Sequence, residues 1–172
     1  MPHRSPVRVT IALGSNLGNR LLHLQQARDL LKNIAAPGDF LQSPVYQTAP
    51  HLCPENSPDF YNTVVEFFFV GSPQKLHNQT QAIEFHLGRV PVSESNAPRV
   101  IDVDILLIGD LVHDDGLLQI PHPRMLDRRF VLEPLSNIRP EAKLPHDQVT
   151  IADHLRHLDS SEAALTLVQA QW

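Results

Sequence analysis

The sequence predicts an α+β fold in which two β-α-β halves share one antiparallel sheet, with both helices on one face. Three observations predict it. Four segments, 7–13, 40–48, 61–70 and 100–108, read as strands. Two segments, 17–34 and 73–87, read as helices. Their order is strand, helix, strand, strand, helix, strand, with no internal repeat and no low-complexity linker.

Each element has a local cause. Residues 7–13 (VRVTIAL) alternate and are β-branched, and Gly14-Ser15-Asn16 then breaks the chain. Leu21, Leu24, Ala27, Leu30, Leu31 and Ile34 recur at helical spacing until Ala36-Pro37-Gly38 ends the helix. The second strand, 40–48, contains Pro44, which implies an edge or a bulge. A proline-rich loop, 49–59, leads to the third strand (YNTVVEFFFV). Ser72 suits the N-cap and Pro73 the first position of the second helix, and Gly88 suits its stop. A polar loop, 89–98, precedes the fourth strand. Two prolines at 120–124 lead into a helix over about 125–137, and 150–158 suits one more short helix. The arrangement expected is ferredoxin-like, with additional C-terminal helices and short strands. It is expected as one domain over 1–172 with a core of about 7–145.

Composition narrows the function classes. Apolar residues make up 42% and charged residues 19%, which is globular rather than disordered. A net charge of −5 speaks against a nucleic-acid or anionic-membrane surface. No apolar run approaches the roughly 20 residues needed to span a bilayer. Residues 1–6 are polar, with no apolar targeting region. Cys53 is the one cysteine, so no disulfide can form within the chain. A cytoplasmic monomer acting on small molecules is expected, without nucleic-acid or membrane partners.

The stretch Ile101-Asp102-Val103-Asp104-Ile105 carries the chemistry. Alternation puts Asp102 and Asp104 on one face and Ile101, Val103 and Ile105 on the other. Two neighbouring carboxylates in an apolar strand are costly as bare ions and raise each other's pKa. A divalent cation resolves both problems, and such a pair with substrate phosphates suits Mg2+. The plainer reading is an edge strand with two solvated aspartates, paired to Arg99. Arg89 and Arg99 flank the polar loop; each is an ordinary surface residue or a phosphate holder. His122, in a proline-rich turn, is structural or functional, and with Arg128-Arg129 it is a candidate third cationic group. Zinc spacings are absent, and so are the GxxxxGK[ST] and GxGxxG loops. Gly14-Ser15-Asn16-Leu17-Gly18 lacks the phosphate-loop lysine and is read as a turn and cap.

Six segments in order then resemble one family: IALGSNLGNR at 11–20, SPVYQTAP at 43–50, PDFYNTVVEF at 58–67, IEFHLGRV at 83–90, PRVIDVDILLIGD at 98–110 and IPHPRMLDRRFVLEPLSNIRPE at 120–141. The chain resembles 6-hydroxymethyl-7,8-dihydropterin pyrophosphokinases over roughly 9–145. The resemblance implies a ferredoxin-like fold, ATP as co-substrate and two Mg2+ ions bridged by Asp102 and Asp104. It implies phosphate contacts from Arg89, Arg99 and His122, with Arg128 on the segment that follows. Gln81, Glu84 and Ile105 match the nucleotide side. Phe60 and Phe130, which alone would be read as core packing, match the aromatics that sandwich the pterin. Asn62 matches an amide on the pterin edge, helped by backbone near Thr48 and Pro50. The implied catalytic set is Asp102, Asp104, Arg89 and Arg99. One departure stands out: the loop 90–97 lacks the arginine and tryptophan that in the family close over ATP. A slower enzyme or weaker ATP closure is expected. The rivals are a non-catalytic binder of the same ancestry, a two-metal nucleotidyl transferase and a regulatory module. The net charge opposes the second, and the aspartates are unexplained by the third.

Overall fold

The computed structural model describes residues 5–50, 55–91, 97–159, 161 and 164–172. Its elements are β1 (Val7–Ser15), α1 (Arg20–Ile34), β2 (Leu41–Gln42), β3 (Val45–Thr48), β4 (Phe60–Phe69), α2 (Pro73–His86), β5 (Asp102–Ile108), β6 (His113–Asp114) and β7 (Gln119–Ile120). A 3-10 turn (Met125–Asp127), α3 (Arg129–Ile138), α4 (Ile151–His157) and β8 (Thr166–Gln169) follow. The main sheet runs β5-β1-β4-β3-β8, with β2 also on β4. Every pairing in it is antiparallel. With β2 and β3 as halves of the expected second strand, the order fourth-first-third-second is ferredoxin-like.

Two cores sandwich the sheet. On one face Leu24, Ala27 and Leu31 of α1 and Leu76 and Ile83 of α2 pack on Val9, Ile11, Leu13, Val65, Phe67, Val103 and Ile105. Both expected helices therefore share a face. The other face carries Val64, Leu106 and Leu107 under Met125, Val131, Leu132 and Leu135, with Ile151 of α4. A register shift in the β1–β5 ladder skips Leu106, so Leu106 and Leu107 both enter this second core.

Several expected boundaries move, each for a physical reason. β1 runs two residues beyond Leu13, because Gly14 and Ser15 keep their ladder to Asn62 and Tyr61. The turn is displaced to 16–19, where Gly18 takes a φ of 64°. α1 thus begins at Arg20, capped by the Asn19 carboxamide, which accepts from Leu22 N at 3.1 Å. The second strand is cut at Ser43-Pro44: Pro44 has no N–H for the ladder. The Ser43 hydroxyl substitutes locally, accepting from Val64 N at 2.9 Å. The helix expected over 125–137 is two pieces. Arg128, extended at φ −119° and ψ 110°, separates the 3-10 turn from α3. That break puts Arg128 in the link and Phe130 in the first turn of α3. The Ser72 cap on α2 holds as expected, accepting from Lys75 N at 3.1 Å. Among the described residues, no helix is long and apolar enough to cross a membrane.

Candidate active site

The central strand organises the site. Gly14 pairs with Asn62 on one side and Asp102 on the other; Ala12 pairs with Val64 and Asp104. Strands lie about 4.8 Å apart, so Asn62 and Asp102 stand roughly 10 Å apart across a residue with no side chain. A Cβ at position 14 would come within 3.0 Å of Asn62 Oδ1 and 3.8 Å of Phe60 Cδ1. Gly14 is thus a buried floor residue, free of a side chain, between two groups of different chemistry.

On the β4 side the groups are neutral. Asn62 is buried and donates through Nδ2 to the Thr48 hydroxyl at 2.8 Å. This bond fixes which way the carboxamide faces, with Oδ1 turned toward Gly14. Phe60 stands on the same face two residues earlier. Phe130 comes from α3, packed on the rim of the second core, with the Arg128 guanidinium 5.4 Å from its ring centre.

On the β5 side the groups are charged. Asp102 Oδ1 accepts from Arg89 at 2.9 Å and Arg99 at 3.0 Å. Arg89 also pairs with Glu84 at 2.5 Å, and Glu84 Oε1 accepts from Val103 N at 2.7 Å. A carboxylate of α2 thereby anchors the strand that bears the aspartates. Burial raises the pKa of Asp102 to about 6, helped by the charge of Asp104 and opposed by Arg99 and Arg89. Burial also raises Asp104, against the pull of Arg128, Arg89, Arg99 and Arg124. Glu84 is pushed up to about 7, again chiefly by burial. Two half-buried carboxylates that resist ionisation are a donor set that fits a hard divalent cation.

His122 departs from the expected third cation. Burial and the nearby Arg128 and Arg124 lower its pKa to about 4. Its Nδ1 accepts from Arg124 N at 3.2 Å, which leaves the proton on Nε2. At neutral pH it is an uncharged donor, and the third cation is Arg128.

The structure brings Asp102, Asp104, Arg89, Arg99 and Glu84 into one cluster, with Arg128 in electrostatic reach of Asp104. Asn62 and Thr48 form a second group. Gln81 is exposed one turn before Glu84 on α2. Pro50 follows the end of β3. Ile105 does not join them: its side chain is 5% exposed in the core under α1 and α2, on the opposite face from the aspartates. Most of the loop at 90–97, namely 92–96, lies outside the described residues, as does Cys53. Sequence reasoning missed Arg124, although it stands two residues after His122 in the matching segment 120–141. It also took Gly14 and Asn16 for turn residues; a glycine within an otherwise apolar strand was the available signal.

Cations converging on a carboxylate pair beside a neutral, amide-bearing group of side chains mark a phosphate-transferring class of enzyme. The family model described as 7,8-dihydro-6-hydroxymethylpterin-pyrophosphokinase (HPPK) matches residues 10–140. A 2-amino-4-hydroxy-6-hydroxymethyldihydropteridine pyrophosphokinase of Pseudomonas aeruginosa is 38% identical over 138 residues, 80% of this chain and 84% of that one. Its Bacillus subtilis counterpart is 41% identical over 128 residues, 74% of this chain and 75% of the other. The folic acid synthesis protein fol1 of Pneumocystis carinii is 36% identical over 150 residues, but this chain spans only 20% of its length. A crystal structure of Plasmodium falciparum HPPK-DHPS superposes with a TM-score of 0.72 at 17% identity, covering 91% of this chain and 45% of that one. The chain belongs to the 7,8-dihydro-6-hydroxymethylpterin-pyrophosphokinase family.

Proposed function

We propose that the chain transfers the pyrophosphoryl group of ATP to 6-hydroxymethyl-7,8-dihydropterin, a step of folate biosynthesis. The observation that carries this reading is Gly14 lying between Asn62 and Asp102, which sets a neutral heterocycle pocket beside a phosphate-binding cluster. Asn62, its carboxamide oriented by Thr48, meets the donor and acceptor edge of the pterin. Phe60 and Phe130 stack on its faces, each pair adding about 0.5–1.5 kcal/mol. Backbone near Thr48 and Pro50 completes the pocket.

Arg89, Arg99 and Arg128 hold the triphosphate by charge-assisted bonds, and neutral His122 donates through Nε2. Glu84 keeps Arg89 aimed, and Gln81 and the backbone at Ile105 border the nucleoside. Asp102 and Asp104 would hold two Mg2+ ions, which when bound neutralise phosphate charge and align the reacting groups. The pterin hydroxymethyl oxygen forms a bond to the β-phosphorus. The bond from that phosphorus to the α,β-bridging oxygen breaks, AMP leaves with the electron pair, and the alcohol proton passes to solvent. No covalent intermediate with the chain is needed. The residues act by positioning and by charge compensation. The chain is read as a cytoplasmic monomer, supported by its net charge of −5 and its single cysteine.

The test is direct. The purified chain is incubated with ATP, MgCl2 and the pterin alcohol, and products are separated. AMP and a pterin pyrophosphate in equal amounts are expected, with both lost in EDTA. ADP as the nucleotide product, or no AMP above the blank, would overturn the assignment.

A further inference from the structure

We infer that Asn16 is a positioning residue that fixes the phosphate-binding arginine segment and the pterin-side segment relative to each other. This rests on the function proposed above. Asn16 is 1% exposed, directly after the last residue of β1. A buried primary amide must find partners for both its ends. It finds them in two separate chain segments. Its Oδ1 accepts from Arg99 N at 2.7 Å, while the backbone N–H of Asn16, a bond independent of the side chain, donates to Arg99 O at 3.2 Å. Its Nδ2 donates to Pro58 O, at a longer 3.4 Å. Arg99 and Pro58 lie on different connections, one entering β5 and the other entering β4.

The consequences run outward in both directions. Holding the backbone of Arg99 at both N–H and C=O limits where its guanidinium can swing. That guanidinium is further tied to Ala97 O at 3.1 Å and Asp102 at 3.0 Å. On the other side, Pro58 leads through Asp59 into Phe60. Asp59 is pinned by Arg20 on its carbonyl at 2.7 Å and by Gln47 on its carboxylate at 2.6 Å. One carboxamide therefore spans the two halves of the site. Displacements of about 1 Å between reacting groups can cost on the order of 100-fold in rate, so a rigid clamp here acts on turnover.

Two substitutions separate the arms. Asn16→Asp keeps the acceptor for Arg99 N but sets an oxygen against Pro58 O. Asn16→Ala removes both arms. For Asn16→Asp the KM for pterin is expected to rise about fivefold, with the KM for ATP within about twofold of wild type. For Asn16→Ala, kcat is expected to fall at least tenfold. Amide hydrogen exchange reads the clamp without catalysis. In the wild-type chain the Arg99 N–H, outside any strand or helix, should be protected about as well as the β5 amides. It should stay protected in Asn16→Asp and open in Asn16→Ala, with exchange at 59–60 faster in both. Lower melting temperatures with unchanged kcat and KM values would make Asn16 merely structural and overturn the inference. An unprotected Arg99 amide in the wild type would also overturn it, even if the variants fail to fold. If the wild type makes no AMP, the proposed function fails, and the exchange results still decide the clamp.

Discussion

At Asp102 two demands oppose each other: the site needs an anion, and its surroundings resist one. The side chain is 18% exposed, and its pKa stands at about 6 against about 4 in an unfolded chain. A raised carboxylate pKa gives stability that is present below pH ~4 and is lost as pH rises through ~6. The metal-free protein should therefore gain from Asp102→Asn at pH ~7.5, by on the order of 1–3 kcal/mol. That is a rise of roughly 2–12 °C in melting temperature, which should vanish at pH ~4. His122 works in the opposite sense: its lowered pKa gives stability above pH ~6.5 that is lost as pH falls toward 4. The difference between variant and wild type cancels that contribution. Melts in EDTA at both pH values check the sign, and a variant less stable at pH ~7.5 would refute it. Turnover in the same variant should drop at least ~1000-fold. Phe130→Ala should weaken pterin binding about tenfold while leaving ATP-analogue binding within about twofold, by calorimetry with each ligand.

At the scale of the element, β1 shows how a strand can serve as a floor. Its alternation and β-branching made it legible over 7–13, but its last two residues were read as a turn because glycine and serine weaken strand propensity. Tertiary pairing overrides that preference: Gly14 is held from both sides by β4 and β5. Gly14→Ala is a sharp test. The added methyl would meet Asn62 Oδ1 at 3.0 Å. The pterin KM should rise at least tenfold, with the ATP KM near wild type and the fold intact by circular dichroism. Equal effects on both substrates would show that position 14 acts on the whole strand. The second strand and the helix at 125–137 were each legible as one element and are each two. Pro44 marked the first break in advance. The break at Arg128 carries no proline or glycine, so nothing local announced it.

For the whole molecule, a second charged cluster far along the same sheet face matters to stability. Glu66, 3% exposed, accepts from Arg8 and Arg139 at 2.7 Å each and from Thr10 at 3.3 Å. Arg139 caps the end of α3, so the cluster ties that helix to β1 and β4. Removing one partner of a buried ion pair costs about 3–5 kcal/mol. A neighbouring cavity of about 540 Å3, lined by Arg8, Arg139 and Lys143 among others, gives water a route in. The loss in Glu66→Ala should therefore sit near 3 kcal/mol, roughly 6–12 °C in melting temperature for a chain of this size. Turnover at low temperature should be retained, which an assay of AMP release would show. The loop at 90–97 acts at this scale as well. Single-turnover and steady-state rates, beside a relative whose loop has both the arginine and the tryptophan, should show slower chemistry or weaker ATP binding here. Equal values would refute the expectation.

Local signals were enough for the order of the strands and helices, the shared face of α1 and α2, the Ser72 cap and the paired aspartates. Each rests on periodicity or on capping chemistry that neighbours in sequence impose on one another. The four residues of β8 were too few to carry a period. Only the tertiary structure decided that Gly14 is floor rather than turn, that His122 is neutral and that Asn16 joins two distant segments. Those depend on burial and on partners tens of residues away, and a buried charge or amide is defined by what surrounds it in space.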